Sequence, residues 1–282
     1  IVLFHDLRSA ETESGREKLL ASLPGQLKWI YVRRSLVRLI ALGLCLGLPF
    51  AVAALQEAVP PAQIAGVLGL MLAYLLFWAS VAVLIAWRGW TSGTNAAALA
   101  TVWAVVALVL PAVSNVVIER AIPVRQGAEI ARAQREAVNH AWDIPREQTM
   151  QQFYAKYPQW SHSAPLGTAF HYKWYLAFHQ NGDDAVQPLA KAYRKGIEGR
   201  ASAASALGWV LPPVGIQAAL TRMAGTDMQT HLAYQDRVRA YHATLRQFYY
   251  GYLFEDRRFG EKDYRLAPAF MVAPAGASAD QD

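Results

Sequence analysis

The chain has 282 residues and a formal charge of +6, and 54% of its residues are hydrophobic. The charges are distributed unevenly, because residues from about 36 to 118 carry very few of them, which excludes a single soluble core. The basic residues after Arg120 are mixed with Asp and Glu, which argues against the clustered basic face of a nucleic-acid-binding protein.

The first 34 residues have ordinary globular polarity and form the first predicted region, a cytoplasmic segment. No signal-peptide n-region or cleavage site precedes the apolar start at residues 1–4. This start is typical of the end of an earlier apolar segment, so we expect the natural chain to extend upstream. Residues 11–20 carry charges of both signs, and by themselves they favour an ordinary solvated helix beside the membrane.

Three uncharged stretches predict three transmembrane helices within residues 35–119, the second region. The first covers residues 39–56 and is long enough if it starts at Ser35 with Arg38 snorkelling; the others cover about 64–87 and 95–118. None has the polar face that a helix in a soluble core shows, so each requires burial on all sides.

The basic residues near these stretches predict their orientation. They are Lys28, Arg33, Arg34 and Arg38 before the first helix and Arg88 between the second and third. The connection between the first and second helices has no Lys or Arg. The positive-inside rule therefore predicts a cytoplasmic N-terminal segment and an extracytoplasmic C-terminal part.

Residues 120–266 form the third region, a helical domain outside the membrane. Periodicity and breakers predict helices at about 124–142, 145–157, 168–180, 183–206, 212–224 and 228–252. Two breakers decide boundaries: Asn181-Gly182 is a predicted stop, and Gly225-Thr226-Asp227 is a stop followed by an N-cap. No strand-like alternation is long enough for a sheet, so the fold class is all-α. Residues 267–282 predict a disordered tail.

Sequence motifs give no catalytic site and no cofactor. There is no phosphate-binding loop or Rossmann glycine pattern, so any ATP hydrolysis belongs to another polypeptide. The single cysteine, Cys45, excludes an intrachain disulfide. His171 and His179 are two helical turns apart, about 12 Å, too far for one metal ion. A metal-handling module using His171 and Met150 stays the weakest alternative.

The apolar residues 208–216 interrupt the predicted outer domain. At about nine residues this stretch is too short to span a bilayer. We favour a place in the core of the outer domain. The alternative is that it lies against the bilayer surface or seals the outer mouth of the membrane helices.

Two motifs in the chain are informative about function. The first runs from Asp6 through the acidic and glycine-containing residues 11–15 to Leu19-Leu20 and Pro24, and it leads into Arg33, Arg34 and Arg38. It resembles the helix of ABC-2-type transporter permeases that contacts the cytoplasmic ATPase, although Arg16 stands where Thr is common in that family. The resemblance implies an ATPase-coupling role for the following residues: Glu11, Glu13, Arg16, Glu17, Lys18, Leu19 and Leu20.

The second motif lies in the outer region and resembles an uncharacterised extracytoplasmic domain attached to some bacterial ABC-2 permeases. It consists of Trp209, Pro212, Pro213, Gly225, Thr226 and Asp227, followed by His231, Tyr234-Gln235 and Tyr241.

Together these resemblances imply a multi-pass permease subunit of the bacterial inner membrane, surrounded by lipid. Its implied partners are a cytoplasmic ABC ATPase and a second permease subunit, identical or homologous. A periplasmic protein is a further candidate partner. The alternative is a mechanical or scaffolding membrane protein whose outer domain binds an envelope partner without moving solute. The absence of charge inside the membrane helices mildly favours that alternative.

Overall fold

A computed structural model describes residues 2–22, 26–124 and 127–271, and every regular element within these ranges is a helix. The all-α prediction is therefore confirmed for this part of the chain. The chain divides into two compact units. The membrane unit comprises Ile1–Ile122 and Arg200–Asp227, and the helical unit comprises Pro123–Gly199 and Met228–Asp282. The sequence analysis placed 200–227 in the outer domain, whereas this segment packs within the membrane unit.

Three helices of the membrane unit are long and apolar enough to cross a membrane, as predicted: Lys28–Gln56 (span 1), Pro61–Ala86 (span 2) and Ser92–Ala121 (span 3). The helices are α3 (Gln26–Gln56), α4 (Pro61–Ala86), α5 (Ser92–Ala104) and α6 (Leu110–Ala121), with a π-helical turn at Val105–Val109 between the last two. Proline at the first position starts α4, and the Thr91 side chain caps α5 by accepting the Thr94 N–H.

The π-helical turn in span 3 has a local cause. Pro111 has no N–H, and its ring would clash with the carbonyl four residues earlier in a regular α-helix. The Leu110 N–H donates instead to the Val105 carbonyl, a bond that spans five residues. The wider turn accommodates the proline without ending the helix.

The N-terminal segment (residues 2–22) contains a 3₁₀ turn at Val2–Phe4, α1 (Ser9–Glu13) and α2 (Arg16–Ala21). Gly15 separates the two helices with φ of +71°, a left-handed conformation that glycine adopts without strain. Phe4 and Leu7 are each 3% exposed and pack in a cluster with Ala82 of α4 and Leu99 of α5. The segment therefore lies at the end of the spans where α4 stops and α5 begins.

The remaining part of the membrane unit is the hairpin segment (residues 200–223). It consists of the last turns of α9 (Tyr172–Leu207), a tight turn and α10 (Pro212–Met223). α10 packs along α4 and reaches the π-helical turn. Trp209 and Val210 are 92% and 78% exposed, so the expectation that this apolar stretch forms the outer domain's core is wrong for both.

The helical unit contains α7 (Gly127–His140), α8 (Arg146–Lys156), a 3₁₀ turn at Pro158–Trp160, residues 172–199 of α9, α11 (Met228–Phe254) and α12 (Glu261–Tyr264). Its core is aromatic. Phe153 of α8 and Phe254 of α11 stack with centroids 5.0 Å apart, and Trp174 and Phe178 bring α9 into the same cluster. These rings join three helices that are distant in sequence.

Two predictions for this unit need correction or limitation. The predicted stop at Asn181-Gly182 is wrong, because α9 continues through it. A Cβ atom on Gly182 would come within 2.6 Å of Val138 Cγ2, so this glycine permits close helix packing rather than ending a helix. Of the predicted disordered tail, Phe270 packs against Tyr234 and Tyr241, while residues 272–282 lie outside the described ranges.

Candidate functional site: the N-terminal segment at the end of the spans

Glu11 is the centre of the ion pairs that hold the N-terminal segment. Glu11 is only 3% exposed. One carboxylate oxygen accepts from Arg34 Nη2 of α3 at 2.6 Å, and the other lies 3.0 Å from Arg16 Nε of α2. A nearly buried carboxylate needs such partners, because its charge is otherwise costly to remove from water. Glu11 therefore joins both short helices to span 1.

Glu13 joins the same segment to span 3. Its carboxylate accepts from the Ser92 backbone N–H at 2.7 Å and from Ser92 Oγ at 3.0 Å, at the first residue of α5. The Ser9 hydroxyl also lies 2.7 Å from Ser92 Oγ. A carboxylate at a helix N-terminus satisfies a free backbone donor and is favoured by the helix dipole.

Glu17 stabilises the segment internally. It accepts from Thr12 Oγ1 at 2.5 Å and from Arg8 Nε at 2.8 Å. The Thr12 hydrogen bond, followed by the bond and charge of Arg8, holds the pKa of Glu17 below its ordinary value, although partial desolvation opposes this shift. These contacts fix α2 against the residues that precede and form α1.

Further bonds attach the first residues of the segment. Arg38 of α3 pairs with Asp6 at 2.8 Å and also donates to the Leu3 carbonyl. Asn95 of α5 is fully buried and donates from Nδ2 to the His5 carbonyl at 3.2 Å. Spans 1 and 3 thus bind the segment by polar bonds, and span 2 binds it through the apolar cluster around Phe4.

Part of the N-terminal segment is exposed to solvent. Leu19 is 72% exposed, Lys18 is also exposed and Leu20 is partly buried. Arg16 keeps an exposed side chain although it pairs with Glu11. Of the acidic members of the predicted coupling set, Glu11 is buried and Glu17 is partly buried. The exposed members are Glu13, Arg16, Lys18 and Leu19. Pro24 of the same motif lies outside the described residues.

The five predicted orientation residues also separate into two groups. Arg34 and Arg38 hold the N-terminal segment through their ion pairs. Lys28, Arg33 and Arg88 are exposed. The positive-inside rule could not distinguish these two roles, because it counts basic residues and does not consider the ion pairs that they form.

A second candidate site is a cavity of about 820 Å³ within the helical unit. His171 and His179 both line it, and α11 contributes His242, Arg246 and Tyr250. Sequence reasoning missed His242 and the cavity because α11 is distant along the chain.

The cavity gives little support to the metal-handling alternative. Met150 lies in the aromatic core at 5% exposure. Within the described residues, no group of three His, Cys, Asp or Glu side chains is arranged to hold a metal ion.

Comparison with protein families gives one match. Residues 128–273, just over half of the chain, match a family described as a domain of unknown function, DUF3526. The chain belongs to the DUF3526 family. Comparisons with curated proteins and with solved structures found no match.

The DUF3526 region includes parts of both units, because it runs through Arg200–Asp227. The six predicted motif residues of the outer region all lie in this segment. Trp209 is at the exposed turn, Pro212 and Pro213 begin α10, and Gly225 follows it with φ of +64°. Thr226 donates its N–H to the Thr221 carbonyl at 2.9 Å, and Asp227 directly precedes α11. These six residues thus lie in the hairpin segment and in the residues that directly follow it.

Proposed function

We propose that this chain is the membrane-spanning permease subunit of a bacterial ABC transporter, driven by a separate cytoplasmic ATPase. It acts in the inner membrane with a second permease subunit, identical or homologous, and carries its helical unit outside. The observation that supports this most is the attachment of the coupling-like segment to all three spans, with Arg16, Lys18 and Leu19 left exposed.

The attachment gives this surface a mechanical route to the spans. Isolated helices as short as α1 and α2 are unstable in water, so these two depend on their docked position. A partner that moves Leu19 therefore pulls on Arg34 through Glu11 and on Ser92 through Glu13. Nucleotide-driven movement of an ATPase would reach span 1 and span 3 together.

The surface of span 1 is consistent with a second permease subunit. Large apolar side chains on several sides of it are exposed, among them Leu44, Leu48 and Leu55 at 59%, 62% and 67%. A Cβ on Gly43 would have no neighbouring atom within 4 Å, whereas a Cβ on Gly47 would lie 3.3 Å from Leu68 Cδ2 of span 2. Small residues that leave the backbone accessible favour close approach of another helix.

The scaffolding function is the second candidate. Residues 39–56, 64–87 and 95–118 contain no charged side chain, and such residues commonly mark ion or small-solute paths through membranes. Solute flux in liposomes would support transport. ATP-dependent release of a soluble envelope protein from the helical unit, without flux, would support scaffolding.

The test is co-purification of the ATPase with detergent-solubilised, full-length protein. Leu19→Asp places a charge in the exposed contact surface without removing a bond that holds the segment. Leu266→Asp in the helical unit is the matched control, because Leu266 is similarly exposed at 68%. We expect Leu19→Asp to reduce ATPase recovery at least tenfold, as loss of a central contact does, and the control to retain it. No ATPase with either protein, or equal recovery with both, contradicts the proposal.

A further inference from the structure

The hairpin segment lies within an uncharged stretch that is longer than its apolar centre suggests. Between Arg200 and Arg222 there is no Asp, Glu, Lys or Arg, and alanine, serine and glycine make up much of the N-terminal limb. An uninterrupted helix of about 20 such residues could cross a bilayer. Here the chain reverses near Trp209, and both limbs remain in the membrane unit.

Both ends of the hairpin segment are attached at one end of the membrane unit, where span 3 ends and span 2 begins. Arg200 donates to the Ile122 and Glu119 carbonyls at 2.8 and 3.3 Å, where span 3 ends. At the other limb, a Cβ on Gly66 would lie 2.6 Å from Met223 Cε, so Met223 packs about one turn into span 2 from its start at Pro61. These two points lie on the side opposite to the N-terminal segment.

From these attachments the two limbs run toward the middle of the spans. The N-terminal limb has seven residues between Arg200 and Gly208, a rise of about 10 Å in a helix. α10 packs along α4 with its last residue, Met223, at Gly66 near the start of α4. It also contacts the π-helical turn Val105–Val109, which lies at the middle of span 3. The turn at Trp209 is therefore deeper along the spans than either attached end.

The backbone of the turn is suited to an environment without water. The N–H groups of residues 208–211 donate to carbonyls of residues 205–207, at 2.9 to 3.2 Å. The next two residues are Pro212 and Pro213, which have no N–H, and the following two N–H groups both donate to Leu211. Every backbone donor from Gly208 to Gly215 is thus bonded or absent, which satisfies the N–H part of what hydrocarbon requires of a backbone.

The two limbs approach closely at the turn because both carry glycine there. A Cβ on Gly208 would lie 2.7 Å from Gly215 Cα. Such contact compacts the turn, while Trp209 and Val210 project from it, 92% and 78% exposed. Exposed apolar side chains at this depth along the spans face the position of lipid chains, not water.

We propose that the hairpin segment is a re-entrant membrane element, whose tip at Trp209 and Val210 enters the hydrocarbon of the outer leaflet beside spans 2 and 3. The occupant of its exposed apolar surface is lipid acyl chain. Arg200 flanks the element at the level of the headgroups, and Arg222 at the end of the other limb extends along the hairpin segment to donate to Ser205 Oγ at 3.4 Å. The proposal requires that the spans lie in a membrane with the N-terminal segment on the cytoplasmic side, as the positive-inside rule predicts, and it does not depend on the transport function.

Site-directed spin labelling of the full chain tests this proposal. Cys45 is replaced by alanine, and single cysteines are introduced as Val210→Cys at the tip, Ser202→Cys near the attached end and Leu266→Cys as the water reference. Each labelled protein is reconstituted in phosphatidylcholine–phosphatidylglycerol vesicles, with doxyl-labelled phosphatidylcholines to calibrate depth. Collision with oxygen reports lipid, and collision with a water-soluble nickel chelate reports water.

We expect the Val210 label to favour oxygen over nickel at about 10 Å below the phosphates, and the Ser202 label to be markedly shallower. Nickel access at Val210 equal to that at Leu266 would overturn the proposal. If the Val210 and Ser202 labels lie at equal, shallow depth, the proposal is overturned and the hairpin segment lies on the membrane surface. If neither oxygen nor nickel reaches the Val210 label, the proposal is overturned and a protein partner covers the tip. Trp209→Cys gives an independent reading of the tip, and each variant is required to elute like the parent protein.

Discussion

The ion pairs of Glu11 allow a quantitative test of how the N-terminal segment is held. Glu11→Gln keeps the shape of the side chain and removes its charge. Arg34 then loses a charged acceptor at 2.6 Å, and Arg16 loses one at 3.0 Å. Because α1 and α2 have five and six residues, little else stabilises their helical conformation once the segment separates from the spans.

The expected cost follows from the exposure of the two arginines. The Arg34 side chain is 40% exposed, so its bond to the nearly buried carboxylate contributes about 1.5 kcal/mol. The Arg16 side chain is 63% exposed, and its pair contributes about 0.5 kcal/mol, as surface ion pairs do. A loss of about 2 kcal/mol raises the population of the open segment roughly 30-fold.

Hydrogen–deuterium exchange of residues 9–21 in the purified full chain measures this population. We expect exchange of these amides to accelerate roughly 30-fold in Glu11→Gln, with the middle of span 2 unchanged. The control is Glu136→Gln, which removes a pair in which Arg132 and Glu136 are 78% and 69% exposed, and which should leave exchange within about twofold. Unchanged exchange in Glu11→Gln would refute the assignment of Glu11 as the residue that holds the segment.

Three further predictions concern the helical unit, each followed by thermal unfolding of the full chain in detergent. Gly182→Leu should destabilise it by about 2 kcal/mol by forcing α9 away from α7, whereas Gly251→Ala, with open space around it, should stabilise α11 by about 0.5 kcal/mol. Asp256→Asn should cost about 2 kcal/mol, because it leaves the 2% exposed ammonium of Lys173 without its carboxylate, and the double variant with Lys173→Met should recover most of this. Burial raises the pKa of Tyr250 to about 12, so the unfolded state, with a tyrosine pKa of about 10, loses its proton first. Stability should therefore fall as pH rises from about 10 to about 12, more steeply than in Tyr250→Phe.

The sequence predicted the spans well because hydrocarbon restricts composition more strongly than a soluble core does. Charged residues are excluded over a length that the bilayer sets, and helix breakers such as Pro60-Pro61 then mark the ends. α4 and α5 each begin only three residues before the predicted start. α3 instead begins at Gln26, well before the predicted start at residues 35–39.

Contacts that are distant in sequence could not be predicted in this way. Glu13 is exposed as its charge predicts, yet its carboxylate also binds Ser92, which follows 79 residues later. Asn181-Gly182 has the composition of a helix stop, but Asn181 bonds the Thr149 carbonyl and Gly182 packs on Val138. In both cases the residue type was compatible with two roles, and tertiary structure decided between them.

The prediction for the hairpin segment fails for a different reason. Its centre, residues 208–216, is strongly apolar and too short to span a bilayer, so its composition by itself favours a place in a soluble core. The flanking alanines and serines are compatible with water or lipid, and they extend the uncharged stretch without adding much hydropathy. Packing against α4 and the bond from Arg200 to span 3 supply the information that composition lacks.

Spans 1 and 3 bind the N-terminal segment through polar bonds, and spans 2 and 3 bind the hairpin segment at the opposite end. Glu13 holds Ser92 at the start of span 3, and Arg200 holds the Ile122 carbonyl at its end. A helix transmits tilt along its length because its backbone bonds resist bending, and the π-helical turn at Val105–Val109 is where span 3 departs from that regularity. α10 contacts span 3 at this turn, so a displacement that starts at the N-terminal segment reaches the hairpin where the helix is least regular. In the proposed permease, the hairpin segment is therefore the part of the DUF3526 region that would transmit ATPase movement to the outer leaflet.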